Sequence, residues 1–443
     1  MYFYKTPQFL TLYRQTMPLL VGLLAIMGSQ LIDSAFVGQL GAQPLAVLGY
    51  SIPIYQVVIG IQVGLGIAAT ASISNALGSS DRAYAKSLGS IILLIGTIFI
   101  TLLCIGLWLF QEPIAFGLGA EPELFPLFSD YWFPWLLSCW LGAILYFGYS
   151  ICRSHGETRV PGKVMVITSV LNVVLDPLFI FTFEMGLAGA AWATCVAFLV
   201  GCFIIFQAIL NERLLTLIKD TKQFLQGTKA IIRFTIPAMV GQFIPPVAAI
   251  VVTIIIASFG DIAVGAWGLA NRIEYLAIIV ILALTMALPP MIGVMRGQRD
   301  YNKIRQLVEI SIKAVILLQL FIALLLAVIS MPLAELLTSD GAVANTLSQY
   351  LWLVPLSYGA LGVCMICVSA SNAMGAPTSA LITSIVRLFV CYLPVVWLGA
   401  EFFGLTGLFI GSAIGNLLSG FAGWVIFMKQ FKKQSSNFAG SNA

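Results

Sequence analysis

Asn172 and Asp176 lie inside a hydrophobic segment of the chain, four residues apart, and therefore share one face of a helix. Pro177 follows Asp176 directly. A proline inside a helix has no N–H to donate and clashes with the carbonyl four residues back, so it frees the backbone oxygen of Val173. A carboxylate, an amide and a free carbonyl inside an apolar helix predict a site for a cation or a proton.

A second acid, Asp33, lies in the middle of the apolar run MGSQLIDSAFVG. An acid at the centre of a bilayer costs roughly 2.5–3.5 kcal/mol on insertion scales, so something must compensate it. Two close carboxylates in a low dielectric do not both ionise freely; one holds a proton, or the pair recruits a cation. Thr194 and Ala190, one turn apart in the next apolar segment, offer a hydroxyl and a carbonyl. A structural hydrogen bond between helices is the alternative interpretation.

The elements that must position these residues are membrane helices. Of 443 residues, 60% are hydrophobic and 9% charged, whereas soluble domains carry roughly 25% charged residues. Segments long enough to cross roughly 30 Å of hydrocarbon recur about twelve times, which predicts an all-α integral membrane protein. The predicted spans are 17–40, 45–77, 87–111, 125–151, 161–183, 186–210, 232–258, 262–295, 306–331, 346–373, 378–400 and 404–428.

The two halves of the sequence are copies of each other. A constant shift of 219 residues places Pro18 on Pro237, Gly41 on Gly260 and Tyr131 on Tyr350. Because six is an even number of spans, the repeats are parallel and predict two six-helix lobes related by a pseudo-two-fold axis along the membrane normal. The predicted domains are an N-lobe at 1–210, a cytoplasmic linker at 211–231 and a C-lobe at 232–443.

The second lobe lacks the acids of the first. Val252 stands at the position of Asp33, and Leu393 at the position of Asp176 under a shift of 217. We therefore expect the N-lobe to carry the ion chemistry and the C-lobe to contribute mainly shape. The roles of two further charged residues stay open: Arg387 contacts a counter-ion or an anionic substrate group, or else extends to the interface, and Glu274 is expected to pair with Arg272.

Charge distribution predicts the orientation. All but three of the 22 Lys and Arg residues fall in the termini, the linker and one set of loops, while the opposite loops are acidic. By the positive-inside rule, both termini and the linker are cytoplasmic. The basic residues are scattered between spans and form no contiguous face, so the sequence predicts no nucleic-acid partner.

Other functional classes fit the sequence less well. GETRVPGKV resembles a phosphate-binding loop, but the spacing of its glycines is wrong and Val164 stands where a Ser or Thr would bind the metal. We find no catalytic constellation and predict neither an enzyme nor a resident cofactor. A passive channel is disfavoured because no filter-like repeat is present. An ion gradient therefore remains as the expected energy source.

Three sequence runs resemble the multidrug and toxic compound extrusion (MATE) transporters, and most closely their prokaryotic DinF-type branch. They are LIDSAFVGQLGAQPLAVLGY, the loop ends ALGSSDRAYA and MRGQRDYNKIR, and LNVVLDPLFIFTFEMGLAGAAWAT. The resemblance covers essentially the whole chain. It implies a monomeric antiporter of the bacterial inner membrane that exports amphipathic, often cationic compounds in exchange for H⁺ or Na⁺.

The resemblance also implies specific roles. The N-lobe cation site of that branch, which binds H⁺ or Na⁺, falls here on Asp33, Asn172, Asp176 and Thr194, with Ala190 as a backbone ligand. The bending proline of the first helix falls on Pro18. A lipid or glycolipid flippase of related architecture is the alternative function, and a groove lined by arginines would favour it.

Overall fold

The computed structural model describes residues 6–216 and 220–439, with side chains to 436, and within these ranges the chain contains helices and no strand. The α-helices, in chain order, are α1 Pro7–Gly38, α2 Ala42–Gly78, α3 Arg82–Leu109, α4 Gln111–Gly117, α5 Phe125–Ser154, α6 Arg159–Pro177, α7 Gly186–Asn211, α8 Thr221–Ala257, α9 Asp261–Ala277, α10 Ile279–Gly297, α11 Tyr301–Val328, α12 Ser330–Leu337, α13 Gly341–Leu353, α14 Tyr358–Ala373, α15 Pro377–Ile385 and α16 Leu393–Ala439. Short 3₁₀-helices at Pro122–Leu124 and Pro355–Ser357 and π-helices at Leu178–Thr182 and Val386–Tyr392 complete the chain.

The number of membrane spans agrees with the sequence. In the described ranges, 11 helical segments are long and apolar enough to cross a bilayer, and the last of them, Pro377–Ser436, has 60 residues. Gly404 interrupts this segment with a φ of 63° and a ψ of −150°, a conformation that glycine adopts readily because it has no Cβ. Since a span needs about 20 residues, the segment contains two spans. The prediction of an all-α membrane protein with about twelve spans is confirmed.

The backbone repeats itself in the two halves. Gly41 and Gly260, which precede α2 and α9, have φ angles of 106° and 91°. Asp81 and Asp300 cap α3 and α11 with nearly identical backbone angles, and each accepts a hydrogen bond from the backbone N–H three residues later. The same turn and the same helix cap thus recur at positions 219 residues apart. The repeat in sequence is therefore also a repeat in structure.

The chain forms two compact units. One runs from Arg14 to Met239, and the other begins at Val240 and includes the first turns of α1. Helix α8 begins at Thr221, within the segment predicted as a linker. The lobe boundaries at 210 and 232 stay a prediction. Below, N-lobe means the unit from Arg14 to Met239, and C-lobe means the unit from Val240 onward.

Candidate cation-coupling site

Four of the residues predicted for the cation site lie together in the N-lobe. Asp176 is fully buried at the end of α6, and its Oδ1 accepts a hydrogen bond of 3.1 Å from Asn172 Nδ2, one turn earlier. The same nitrogen lies 3.1 Å from Thr194 Oγ1 on α7, and the Thr194 hydroxyl donates to the Ala190 carbonyl at 3.0 Å. One chain of hydrogen bonds therefore joins Asp176, Asn172, Thr194 and Ala190 across two helices.

Asp33 belongs to the same region. It is half-buried on α1 and lies within electrostatic range of Asp176. Asp33 Oδ1 and Asp176 Oδ2 are both buried, and neither has a hydrogen-bond partner among the described residues. A buried carboxylate oxygen without a donor is costly, and two neighbouring carboxylates add repulsion. A proton or a monovalent cation would relieve both costs.

The helix that carries Asp176 changes its geometry immediately after that residue. Pro177 ends α6, and Leu178–Thr182 continues as a π-helix. Single-turn π-helices inside α-helices occur frequently at functional sites, and the proline gives a local cause because it removes one helical hydrogen bond. The sequence predicted an interrupted helix at this position but not its π-helical form.

Pro18, the predicted bending position, lies inside a continuous α1. Gly162 of α6 contacts it so closely that a Cβ on Gly162 would lie 2.3 Å from the Pro18 carbonyl oxygen. A Cβ on Gly22, one turn later on α1, would in turn lie 2.7 Å from the sulfur of Met165. The two helices that carry Asp33 and Asp176 are therefore packed at van der Waals distance beside this proline. Whether α1 bends there stays a prediction.

Sequence reasoning missed a tyrosine near Asp33. Tyr131 on α5 is buried and lies within electrostatic range of both Asp33 and Tyr55 of α2. The Tyr131 phenol is a potential hydrogen-bond donor near the Asp33 carboxylate. The sequence does contain a sign of this residue, because Tyr131 has a tyrosine, Tyr350, at the equivalent position of the second repeat. That match was used only to align the two repeats.

The predicted ion pair between Glu274 and Arg272 is wrong. The Glu274 carboxylate accepts hydrogen bonds from the phenols of Tyr350 at 2.7 Å and Tyr358 at 3.4 Å. Residues two apart on a helix point to different sides, and the Arg272 side chain is exposed. The C-lobe therefore holds a hydrogen-bonded carboxylate of its own, and the expectation that this lobe contributes mainly shape stays a prediction.

The donor set of the N-lobe site suits a small hard cation or a proton. It combines two carboxylates with the neutral oxygens of Asn172, Thr194 and Ala190, the ligand types that hard cations prefer. Within the described residues, no three His, Cys, Asp or Glu side chains are grouped as for a tightly held metal. Occupation of this site by Na⁺, as opposed to a proton, remains a proposal.

Thr194→Val tests whether the hydroxyl takes part in ion binding. Valine has the same shape but leaves the Asn172 amide and the Ala190 carbonyl each without one partner, at a cost of about 1–3 kcal/mol. We expect the ion concentration for half-maximal transport to rise about tenfold, since about 1.4 kcal/mol corresponds to tenfold in affinity. Thr253→Val is the control, because the Thr253 hydroxyl is exposed and bonds to its own helix. An unchanged ion requirement in Thr194→Val would remove Thr194 from the site.

A repeated set of apolar helices with acidic residues in the interior of one repeat is typical of multi-pass transporters. The family model MatE matches residues 18–178 and 237–398. The chain therefore belongs to the MATE family, whose members are transporters and not enzymes.

Similar proteins support this assignment. The crystal structures of the Vibrio cholerae MATE transporter VcmN, one of a mutant and one of the bent form, are 46% identical, with TM-scores of 0.94 and 0.93 over 96% of this chain and 97% of theirs. The FAD transporter of Shewanella oneidensis is 31% identical over 93% of this chain and 92% of its own. The multidrug export protein MepA of Staphylococcus aureus is 24% identical over 96% of this chain and 94% of its own.

Proposed function

We propose that this protein is a secondary active antiporter that exports amphipathic, cationic compounds in exchange for inward H⁺ or Na⁺. The observation that carries the proposal is the pair Asp33 and Asp176, each with a buried carboxylate oxygen that lacks a partner. A group that binds an ion in one state of a transporter and releases it in the other supplies the driving force through its differential affinity.

In the proposed cycle, a proton or cation from outside neutralises the carboxylate pair and α1 bends near Pro18. The bend reduces the N-lobe cavity, and the cargo leaves outward. Release of the ion to the cytoplasm restores the repulsion between Asp33 and Asp176 and returns α1 to its straight form. The protein acts in this cycle as a monomer in the bacterial inner membrane, with both termini cytoplasmic.

The names of two relatives support different cargoes. MepA is named as a multidrug exporter, which favours amphipathic drugs. The relative from Shewanella oneidensis is named as an FAD transporter, which makes a flavin nucleotide the second candidate cargo. An arginine inside a span, Arg387, favours that alternative because it offers a positive charge to a phosphate. A lipid or glycolipid flippase is the third hypothesis, because transporters of related architecture move lipids.

Reconstitution into proteoliposomes tests these cargoes against one another. Vesicles loaded separately with ethidium, FAD or a fluorescent phospholipid would receive an imposed proton gradient or an imposed sodium gradient. We expect ethidium efflux driven by one of the two gradients and lost in Asp33→Asn. Gradient-driven movement of FAD alone would replace the cargo and keep the coupling. Lipid translocation with no gradient-driven efflux would overturn the antiporter proposal.

A further inference from the structure

A second polar pocket lies in the C-lobe, around Glu274 on α9. Glu274 is half-buried and lies 13 residues after Asp261, the first residue of α9, about 20 Å along the helix. Tyr350 and Tyr358 are almost completely buried; both donate to Glu274 Oε2, and their hydroxyls lie 3.1 Å apart. Glu274 Oε1 accepts no hydrogen bond from a described residue. The carboxylate is thus held in one orientation with one oxygen free.

Arg387 provides the opposite charge. It lies in the π-helix Val386–Tyr392, 10 residues after Pro377, about 15 Å along the span. Its guanidinium lies within electrostatic range of Glu274. The two ion pairs within 4.0 Å in the described residues are Lys303–Asp300 and Arg305–Glu309, both elsewhere. Arg387 also donates no side-chain hydrogen bond to a described residue.

The repeat shows that this pocket corresponds to the N-lobe site. Under the shift of 219, Tyr350 is the counterpart of Tyr131, and Glu274 the counterpart of Tyr55. Under the shift of 218, Ser412 replaces Thr194, and its hydroxyl donates to Leu408 O at 3.0 Å, as Thr194 does to Ala190. The C-lobe has therefore kept the polar pocket but carries its acid on a different helix.

Two opposite charges in a membrane interior, near each other but unpaired, are costly unless a group lies between them. A direct pair would satisfy both side chains, yet the two tyrosines fix the carboxylate through one oxygen and leave the other available. Such pre-organisation is a property of binding sites, because the ordering cost is met before the ligand arrives. A ligand with an ammonium group and an acidic group would satisfy Glu274 and Arg387 together.

We infer that Glu274 and Arg387 form a cargo subsite in the C-lobe that binds amphipaths carrying both an ammonium and an acidic group. Glu274 Oε1 receives the ammonium, and the Arg387 guanidinium donates to the acid. Tyr350 and Tyr358 are positioning residues that hold the carboxylate. The inference rests on the proposed function, because it refines the cargo, but it is independent of the Asp33–Asp176 coupling.

Three fluorescent probes that share one scaffold test the subsite on the purified full-length protein. Nε-dansyl-lysine carries both charges, its methyl ester carries the ammonium alone, and Nα-acetyl-Nε-dansyl-lysine carries the carboxylate alone. We expect the dipolar probe to bind most tightly. Glu274→Gln should weaken the dipolar probe and the ester about tenfold and leave the acetyl probe unchanged, because only the first two have an ammonium group that loses its charged acceptor. Arg387→Gln should weaken the dipolar and acetyl probes and leave the ester unchanged.

The matched controls come from the surface pair of the same lobe. Arg305 and Glu309 form an exposed ion pair of 2.7 Å, so Glu309→Gln and Arg305→Gln make the same changes of charge away from the pocket and should alter no affinity. Tyr350→Phe keeps the ring but removes the 2.7 Å donor. We expect a smaller loss that is confined to the two probes with an ammonium, which a general packing defect would not produce.

The outcomes separate this inference from the proposed function. Equal affinities for the three probes, or an equal loss for all three in Glu274→Gln and Arg387→Gln, would overturn the subsite and leave gradient-driven efflux to be judged by itself. Asp33→Asn should bind all three probes as the unmodified protein does, although it does not transport. If Asp33→Asn and Asp176→Asn both transport normally, the proposed coupling fails while the subsite stands.

Discussion

Asp176→Asn is expected to reduce gradient-driven efflux to the background of protein-free vesicles while the protein remains folded. Asparagine has nearly the same shape as aspartate, and its carbonyl oxygen can still accept the hydrogen bond from Asn172. It can neither take up a proton nor carry the charge that attracts a cation. The carboxylate pair with Asp33 is then permanently incomplete, so the ion no longer distinguishes the two states of the transporter.

The measurement combines efflux with folding and cargo binding. Efflux of ethidium under the effective gradient reports coupling, and the thermal unfolding temperature reports the fold. Dye binding by the purified protein reports cargo recognition, which we expect to persist. Asp130→Asn is the matched control, because Asp130 is an exposed acid of the same lobe and should retain full activity. Full activity in both Asp176→Asn and Asp33→Asn would contradict the assignment of the coupling site.

Much of this site could be predicted from the sequence because its chemistry is local. Asn172 and Asp176 are one turn apart, and Thr194 and Ala190 are one turn apart, so helical geometry alone fixes each pair. Polar and ionisable residues are rare inside membrane helices, so those that occur there are identified easily from the sequence. The pairing of α6 with α7 across a short turn brought the two pairs together. That Asp33 lies near them followed from its chemistry and from the family resemblance, and not from spacing.

The C-lobe pocket could not be predicted in the same way. Its members, Glu274, Tyr350, Tyr358 and Arg387, come from four separate segments of the chain, and no local period connects them. In the second repeat, Val252 and Leu393 stand at the positions of Asp33 and Asp176, so neither acid has an acidic counterpart. The C-lobe acid, Glu274, lies instead on α9 at the position of Tyr55. Matching the two repeats position by position therefore does not reveal it. Arg272, two residues before Glu274 but on another face of the helix, was the wrong partner to expect from the sequence.

Gly162→Ala is expected to destabilise the protein, whereas Gly106→Ala is expected to stabilise it slightly. A Cβ on Gly162 would lie 2.3 Å from the Pro18 carbonyl oxygen and 2.6 Å from its carbon. Neither is the end of a flexible side chain, so α1 and α6 must separate, at a cost of about 1–3 kcal/mol. A Cβ on Gly106 of α3 meets no atom within 4 Å, and alanine favours a helix by about 0.5–1 kcal/mol over glycine.

The two substitutions are expected to change the stability of the protein in opposite directions, and together they test the proposed bend at Pro18. Thermal unfolding should show a lower midpoint for Gly162→Ala and an equal or higher one for Gly106→Ala; equal midpoints would contradict the close packing. Efflux measured well below both midpoints then reports on motion and not on unfolding. If α1 bends against α6 at Pro18, a methyl group at this contact changes the balance between the straight and bent forms, and efflux falls in Gly162→Ala although the protein is folded. Unchanged efflux in a destabilised but folded Gly162→Ala would place the moving part of α1 away from Pro18.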